Sequence, residues 1–262
     1  MCNFIEDTAL LRDFALENGF HGIDWSFDMS NLPETPLEAS RWATRISTLA
    51  PLEVRFHCPF PQLDIGHEDP SRQQAAVDIF EGIIRLVSKG GGRYLTIHVG
   101  LGHDTTRVLS WESTISRLRD LVLYGESQNV VLCLENLAWG WTSKPNLFEK
   151  LIRHSGAGVT FDIGHARACE AVRSRQYGSE DFVSPHMERV ANAHVYHDEI
   201  EGVGHVPPKS VSDIADRLDI LVQSGCPWWT LEIRETEGLA QTKGVVDDYL
   251  NRFSAESPET PA

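Results

Sequence analysis

VVLCLENLAWGWTSKPNLFEKLIRHSGAGVTFDIGH, residues 130–165, spans one full strand–helix–strand period. VVLCLEN (130–136) and GVTFDIGH (158–165) are short, apolar and β-rich, the composition of parallel strands buried on both faces. Between them Lys144-Pro145 opens a helical pattern over 144–155, with proline near the first turn, where its missing N–H costs nothing. A period of this kind is a βα unit of a parallel sheet.

The same alternation continues in both directions. HGIDWSFD (21–28), LEVRFHCP (52–59) and YLTIHVG (94–100) precede it, and VANAHVYH (190–197) and WWTLEIRE (228–235) follow. Helical patterns fall near 7–18, 36–48, 70–89, 107–126, 179–188, 208–224 and 239–253. Thr35-Pro36 and Asp69-Pro70 mark helix starts, and Gly19, Gly90, Gly125 and Gly225 stand where helices should stop. Seven strands and eight helices predict an α/β fold, a (β/α)8 TIM barrel, for which 262 residues is an ordinary size. Only Met1 to Ile5 precede the first helix, so the first strand is short or missing, with Cys2-Asn3-Phe4 as its stub. One barrel domain is expected over 1–253, and the polar, proline-containing SAESPETPA (254–262) reads as a disordered tail.

With 38 acidic against 23 basic residues the formal net charge is -15, which repels a phosphate backbone; nucleic acid is disfavoured and a small polar substrate fits better. Cys2, Cys58, Cys133, Cys169 and Cys226 are odd in number and form no CxxC pair, so reduced thiols in a cytoplasmic protein are expected. MCNFIEDTALL has no basic region followed by an apolar stretch, which predicts no signal peptide, and no apolar run approaches the roughly 18 residues a membrane span needs.

Polar residues interrupt the strands in one consistent place. His57, His98, Glu135, Asp162 with His165, His194 and Glu232 all fall at or near strand ends, the active face of an α/β barrel. Taken singly, each is more easily a satisfied core histidine or a salt-bridged carboxylate than a ligand. Taken together they are costly, because clustered carboxylates raise one another's pKa and burial opposes their ionisation. A divalent cation removes that cost, and mixed carboxylate and imidazole donors suit Mn, Zn, Co or Fe.

The ordered motifs FHCPF, TIHVG, LENL, FDIGHA, AHVYHDE…GHVPP and LEIRE resemble the xylose-isomerase-like TIM barrel superfamily, which includes sugar isomerases and epimerases and an apurinic endonuclease branch. The resemblance covers roughly residues 10 to 250. It implies that Glu135, Asp162, His194 and Glu232 hold one metal, with Glu135 and Glu232 as the proton-moving pair of the epimerases. His165 matches a histidine that contacts substrate in the epimerases and metal in the endonuclease branch. His57, His98 and His205 match further ligands of that multi-metal branch. The family often carries an aspartate three residues after the histidine of the AHVYH strand, where this chain has His197, followed by Asp198. That departure leaves the ligands of a third position open. Trp139 with Trp141, Asp24 with Trp25, His67, His103, Arg167, His197 and Arg234 are weaker candidates near the mouth, as substrate contacts or as packing and surface residues, and the HDE stretch at 197–199 reads as a solvated loop.

The implied activity is a divalent-metal-dependent sugar or polyol isomerase or epimerase working by proton transfer next to a carbonyl through an enediolate. The same chemistry permits a 3-keto-sugar lyase or hydratase. A multi-metal phosphodiesterase of the apurinic endonuclease type draws support from His57, His98 and His205, and is opposed by the charge and by the lack of Lys/Arg-rich loops. A non-catalytic barrel is opposed by the intact ligand set. Many such barrels pair, so a homodimer is compatible with the resemblance.

Overall fold

The computed structural model describes residues 1–59, 63–100 and 105–256. Among these, β1 (Gly22–Ser26), β2 (Glu53–His57), β3 (Tyr94–Ile97), β4 (Val131–Glu135), β5 (Gly158–Asp162) and β6 (Val190–Val195) run parallel. An antiparallel hairpin, β7 (Asp198–Ile200) and β8 (Gly204–Val206), interrupts the series. A seventh parallel strand, β9 (Trp229–Leu231), then joins the sheet beside β6. The sheet curls into a nearly closed TIM barrel.

The first-strand stub is present, and it is built by side chain as much as by backbone. Cys2 makes a single parallel bridge to Asp24, whose N–H donates to the Met1 carbonyl at 2.8 Å. One residue on, the Asn3 amide replaces the ladder: the Ser26 N–H donates to Oδ1 at 2.8 Å and Nδ2 donates to the Ser26 carbonyl at 3.2 Å. Across the seam the Thr230 hydroxyl donates to Asp24 Oδ2 at 3.2 Å. The β1 edge, which would otherwise expose unpaired N–H and C=O groups, is thereby partly covered.

The helices on the outside are α1 (Thr8–Glu17), α2 (Pro36–Ser47), α3 (Pro70–Lys89), α4 (Trp111–Ser127), α5 (Pro145–Ser155), α6 (Ile163–Ala168), α7 (Glu170–Arg173), α8 (Ala215–Ser224) and α9 (Thr236–Glu256). Proline occupies the first turn of α2, α3 and α5, Asp69 caps α3, and Thr35 with Glu38 forms a reciprocal capping box on α2. Apolar residues of strands and helices join in one buried cluster running from Met1 to Tyr249.

Inside the barrel, alternation stacks two polar layers. Arg55, Thr96, Thr160, Asn192 and Thr230 lie in the lower one; the residues two positions on, His57, His98, Asp162, His194 and Glu232, lie above them. The lower layer is hydrogen-bonded within itself, Thr96 Oγ1 to Thr160 Oγ1 at 2.8 Å and Asn192 Nδ2 to both at 3.4 Å. The upper layer thus stands on a rigid polar floor.

Several expected boundaries move. The GVTFDIGH strand stops at Asp162, because the Asp162 carboxylate accepts the His165 N–H at 2.6 Å and caps α6. The helix expected over 179–188 is two 3-10 segments, Ser179–Phe182 and Ser184–Arg189, with Pro185 lacking a donor and His186 at φ -145°. In place of uninterrupted helices over 107–126 and 208–224, a 3-10 turn at Val211–Asp213 precedes α8, and another at Thr105–Val108 precedes α4. Gly125 does not end α4; it lies inside the helix, where a Cβ would stand 2.4 Å from Leu132 Cδ1. The HDE stretch is not a solvated loop, since Asp198 and Glu199 are half-buried strand residues of β7. Helix α9 runs through Glu256, beyond its expected end at 253; residues 257–262 of the expected tail, and His103, lie outside the described residues.

Candidate metal centre

Register delivers the candidate ligands to one level. Asp162 is paired with His194 across β5 and β6, Glu135 ends β4, His57 ends β2, and His98 and Glu232 follow β3 and β9 directly. Asn136, the last residue of the VVLCLEN run and one position past the end of β4, ties β4 to β5 at this height. Its Oδ1 accepts the Asp162 N–H and its Nδ2 donates to the Asp162 carbonyl, both at 2.8 Å.

Glu135 is the hub. It is 1% exposed, and four imidazoles face its two oxygens. Oε2 is 3.1 Å from His57 Nε2 and 2.9 Å from His98 Nε2; Oε1 is 3.1 Å from His194 Nδ1 and 3.3 Å from His165 Nδ1. His194 Nδ1 stands between the two glutamates, 2.9 Å from Glu232 Oε2, with Asp162 Oδ2 at 3.7 Å. Ligand atoms of Glu135, Asp162, His194 and Glu232 all lie within 4.8 Å of one another, the set the resemblance implied. Behind it, Asp24 Oδ2 lies 3.5 Å from His194 Nε2, a carboxylate backing an imidazole as metal sites use.

Second and third groups adjoin it. His165, Glu199 and His205 offer ligand atoms within 4.8 Å of one another, and so do His57, Cys58 and His98. Glu199 went unread in the sequence because only the β7–β8 pairing turns it inward; the acidic HDE run was its one signal. Arg217 holds this region by donating to three main-chain oxygens: Ile163 at 2.9 Å, His197 at 2.8 Å, and Asp213.

The donor chemistry fits divalent cations. His57 Nδ1 donates to the Cys58 carbonyl at 2.8 Å, His165 Nδ1 to the Asn136 carbonyl at 3.1 Å and His205 Nδ1 to the Glu232 carbonyl at 2.7 Å. A carbonyl only accepts, so each Nδ1 carries a proton, and loss of the other proton would leave the lone pair on Nε2, the arrangement of a ligating histidine. Asp162 Oδ2, Glu199 Oε2 and Glu232 Oε2 are buried and accept no well-formed hydrogen bond among the described residues. Burial alone would raise the Glu135 pKa, but His194 and His98 hold it well below the usual carboxylate range. His194 is the converse, lowered by burial and driven well above its ordinary value by Glu232 and Glu135.

The weaker candidates divide. Asp24 and Trp25 are buried, the Trp25 ring lying under the Arg45 guanidinium at 5.2 Å. Trp139 and Trp141 are half-buried, and Trp141 packs edge-on against Trp111 at 5.1 Å. Arg167 pairs with Asp198 at 3.3 Å and His197 Nδ1 donates to the Asp213 carbonyl at 3.2 Å, and neither is among the grouped candidate ligands. His67 Nδ1 accepts the Asp69 N–H at 2.9 Å in the turn before α3, and Arg234 is exposed. The five cysteines are all buried and none is in a disulfide. Among the described residues no helix is long and apolar enough to cross a membrane.

Comparison with known proteins gives the same architecture. Residues 12–248 match the family described as xylose isomerase-like TIM barrel, and the chain belongs to that family. An uncharacterized protein of Methanocaldococcus jannaschii, MJ0008, is 27% identical over 200 residues, which are 76% of this chain and 81% of the relative. Among solved structures, a D-tagatose 3-epimerase-like protein superposes with a TM-score of 0.73 at 15% identity, covering 98% of each chain. Endonuclease IV of Thermus thermophilus superposes at 0.64 with 14% identity, covering 96% of this chain and 97% of that one. At these identities the superpositions speak for the fold.

Proposed function

We propose that the chain is a divalent-metal-dependent isomerase or epimerase of a small sugar or polyol, moving a proton next to a carbonyl. The observation that carries this reading is the pair of glutamates on His194. Glu135 and Glu232 come from strands on different sides of the barrel and approach one imidazole nitrogen at 3.1 and 2.9 Å, with Asp162 completing the set. Glu135, Asp162, His194 and Glu232 would hold the cation, with Mn, Zn, Co or Fe all compatible with this donor set. A bound cation there supplies Lewis-acid polarisation of a substrate oxygen.

The two glutamates are not equivalent. Glu135 Oε2 is held by His57 and His98, whereas Glu232 Oε2 lacks a well-formed hydrogen bond among the described residues. In this reading Glu232, whose carboxylate meets one imidazole, His194 at 2.9 Å, where Glu135 meets four, removes the substrate proton. Return of the proton by Glu135 to the opposite face of the same carbon gives epimerisation; return by Glu232 to the neighbouring carbon gives isomerisation. The test is incubation of the Mn-, Co- or Zn-loaded protein with a panel of ketoses in deuterium oxide, reading carbon-bound deuterium by NMR. Absence of exchange in every ketose with the metal in place would remove this reading.

A second reading, a multi-metal phosphoester hydrolase, is favoured by one observation. His57 and His98 on Glu135 Oε2, together with His165, Glu199 and His205, supply donors for positions on either side of the first. Adjacent cations suit the in-line displacement of a phosphate ester. The -15 charge points such an activity toward a small ester rather than a polynucleotide. Metal stoichiometry, with hydrolysis of phosphate esters and of an abasic duplex measured beside deuterium exchange, separates the two. A protein that keeps its metal and performs none of these would be the non-catalytic barrel.

A further inference from the structure

Cys58 follows His57 directly after β2, is 2% exposed, and offers its sulfur within 4.8 Å of ring nitrogens of both His57 and His98. The His98 Nε2 reaches Glu135 Oε2 at 2.9 Å. This thiol differs from two of the other buried cysteines. Cys169 and Cys226 give their S–H groups to the main-chain oxygens of Ala166 and Trp228, at 3.2 and 3.4 Å. Cys58 is turned to imidazoles at the mouth instead, one strand from the four-residue oxygen-rich group.

We propose that Cys58 is a metal ligand, and that with His57 and His98 it forms a soft sulfur–nitrogen position beside the site of Glu135, Asp162, His194 and Glu232. The inference rests on the metal-enzyme reading above and deepens it by distinguishing two kinds of position. Binding exchanges the thiol proton for the cation: the proton leaves to solvent, the sulfur lone pair forms the new bond, and no oxidation state changes. Zn–S near 2.3 Å and Zn–N near 2.0 Å in a tetrahedral site place ligand atoms roughly 3.5 Å apart, so donors now within 4.8 Å of one another would draw together on binding. A thiolate with two imidazoles selects zinc, cobalt or ferrous iron over manganese or magnesium, whereas the three-carboxylate position accepts manganese as well. The chain would then hold two metals of different hardness, and manganese alone would fill only the harder position.

The test is anaerobic cobalt(II) titration of the full chain after chelator treatment, followed by absorption spectroscopy. The expected result is a sulfur-to-cobalt charge-transfer band in the near ultraviolet, growing beside the visible ligand-field bands. In Cys58→Ser, and in Cys58→Ala as a second variant, the charge-transfer band is lost while ligand-field bands from the oxygen-rich position persist. Cobalt affinity of the soft position should fall by on the order of 10- to 100-fold. Circular dichroism of both variants checks that the fold is retained. Ligand-field bands without a charge-transfer band in the unaltered protein overturn the assignment of Cys58 and leave the metal reading standing, as does a charge-transfer band that survives both substitutions. Absence of every cobalt band overturns both.

Discussion

His205 Nδ1 donates to the main-chain oxygen of Glu232 at 2.7 Å, and this bond ties the β7–β8 hairpin to the end of β9. The same ring stacks on Tyr196, centroids 4.0 Å apart and planes 12° from parallel, and turns Nε2 to within 3.3 Å of Glu199 Oε2. One residue therefore closes the hairpin onto the barrel and offers a ligand atom. His205→Phe keeps the stack and removes both nitrogens. It should lower metal stoichiometry at the His165–Glu199–His205 group, measured by elemental analysis after dialysis, and cost about 1–3 kcal/mol of stability because the Glu232 carbonyl loses its donor. Unaltered stoichiometry would take that group out of the metal centre.

Glu135→Gln preserves shape and removes the charge that four imidazoles face. The expected loss of turnover is roughly 10²- to 10⁴-fold, the range for a positioned proton-transfer group, with weaker metal retention. The circular dichroism spectrum should stay native, since the surrounding apolar cluster is untouched. Full activity in the variant would remove Glu135 from the chemistry.

Stripped of cations, the centre is held by protonated imidazoles. Burial alone would lower the His98 pKa, but Cys58 and Glu135 outweigh it and push it up to about 9; at His165 burial is outweighed by Asp162 and then Glu135, again to about 9. Folded-state values above the ordinary 6.5 mean that these contacts stabilise the chain fully below pH 6.5 and are lost as pH rises through about 9. The melting temperature of the chelated protein should therefore fall across that window. The metal-loaded protein, whose ligating imidazoles are already deprotonated, should not show this fall. Parallel melting curves with and without chelator check it; identical pH profiles would contradict it.

The convergence of the candidate ligands was legible because a polar side chain late in an apolar strand breaks a strong local pattern, and alternation sends it inward. Glu135, Asp162, His194 and Glu232 carry that signal. Glu199 does not: its strand has three residues, and its direction depends on pairing with β8, a long-range contact. Asn136 was hidden for a related reason, since its amide spans two strands 26 residues apart. The strand-to-helix switch at Asp162 was hidden because the residue is both cap and candidate ligand, and the strand pattern runs on through Ile163.

Gly164 shows how tightly the turn after β5 is packed. A Cβ there would lie 2.0 Å from Tyr196 Cε2 and 2.4 Å from Cζ, and Tyr196 is fully buried against His205. Gly164→Ala should cost about 1–3 kcal/mol, as overpacked cores do. Adding Tyr196→Leu should recover part of that loss. Denaturant unfolding of the two single variants and the double reads the coupling, and strictly additive losses would mean that the two residues do not collide.

Arg55 sets the floor beneath the metal centre. It is 5% exposed, its guanidinium lies over the rings of Tyr94 and Trp228 at 4.1 and 4.5 Å, and it donates to the Ala191 carbonyl at 2.7 Å and to Asn192 Oδ1. Asn192 in turn faces Thr96 and Thr160, each two residues below a candidate ligand. Arg55→Met keeps much of the apolar stem and leaves the buried Asn192 Oδ1 without this donor, at about 1–3 kcal/mol, and the half-buried Ala191 carbonyl without it at a smaller cost. Arg55→Lys should not rescue it, because one ammonium cannot reproduce the planar fork between two aromatic faces. Because the floor orients His98, Asp162 and His194, metal affinity should fall together with the unfolding free energy in both variants. A loss of stability with unchanged affinity would show that the upper layer keeps its geometry without the lower one.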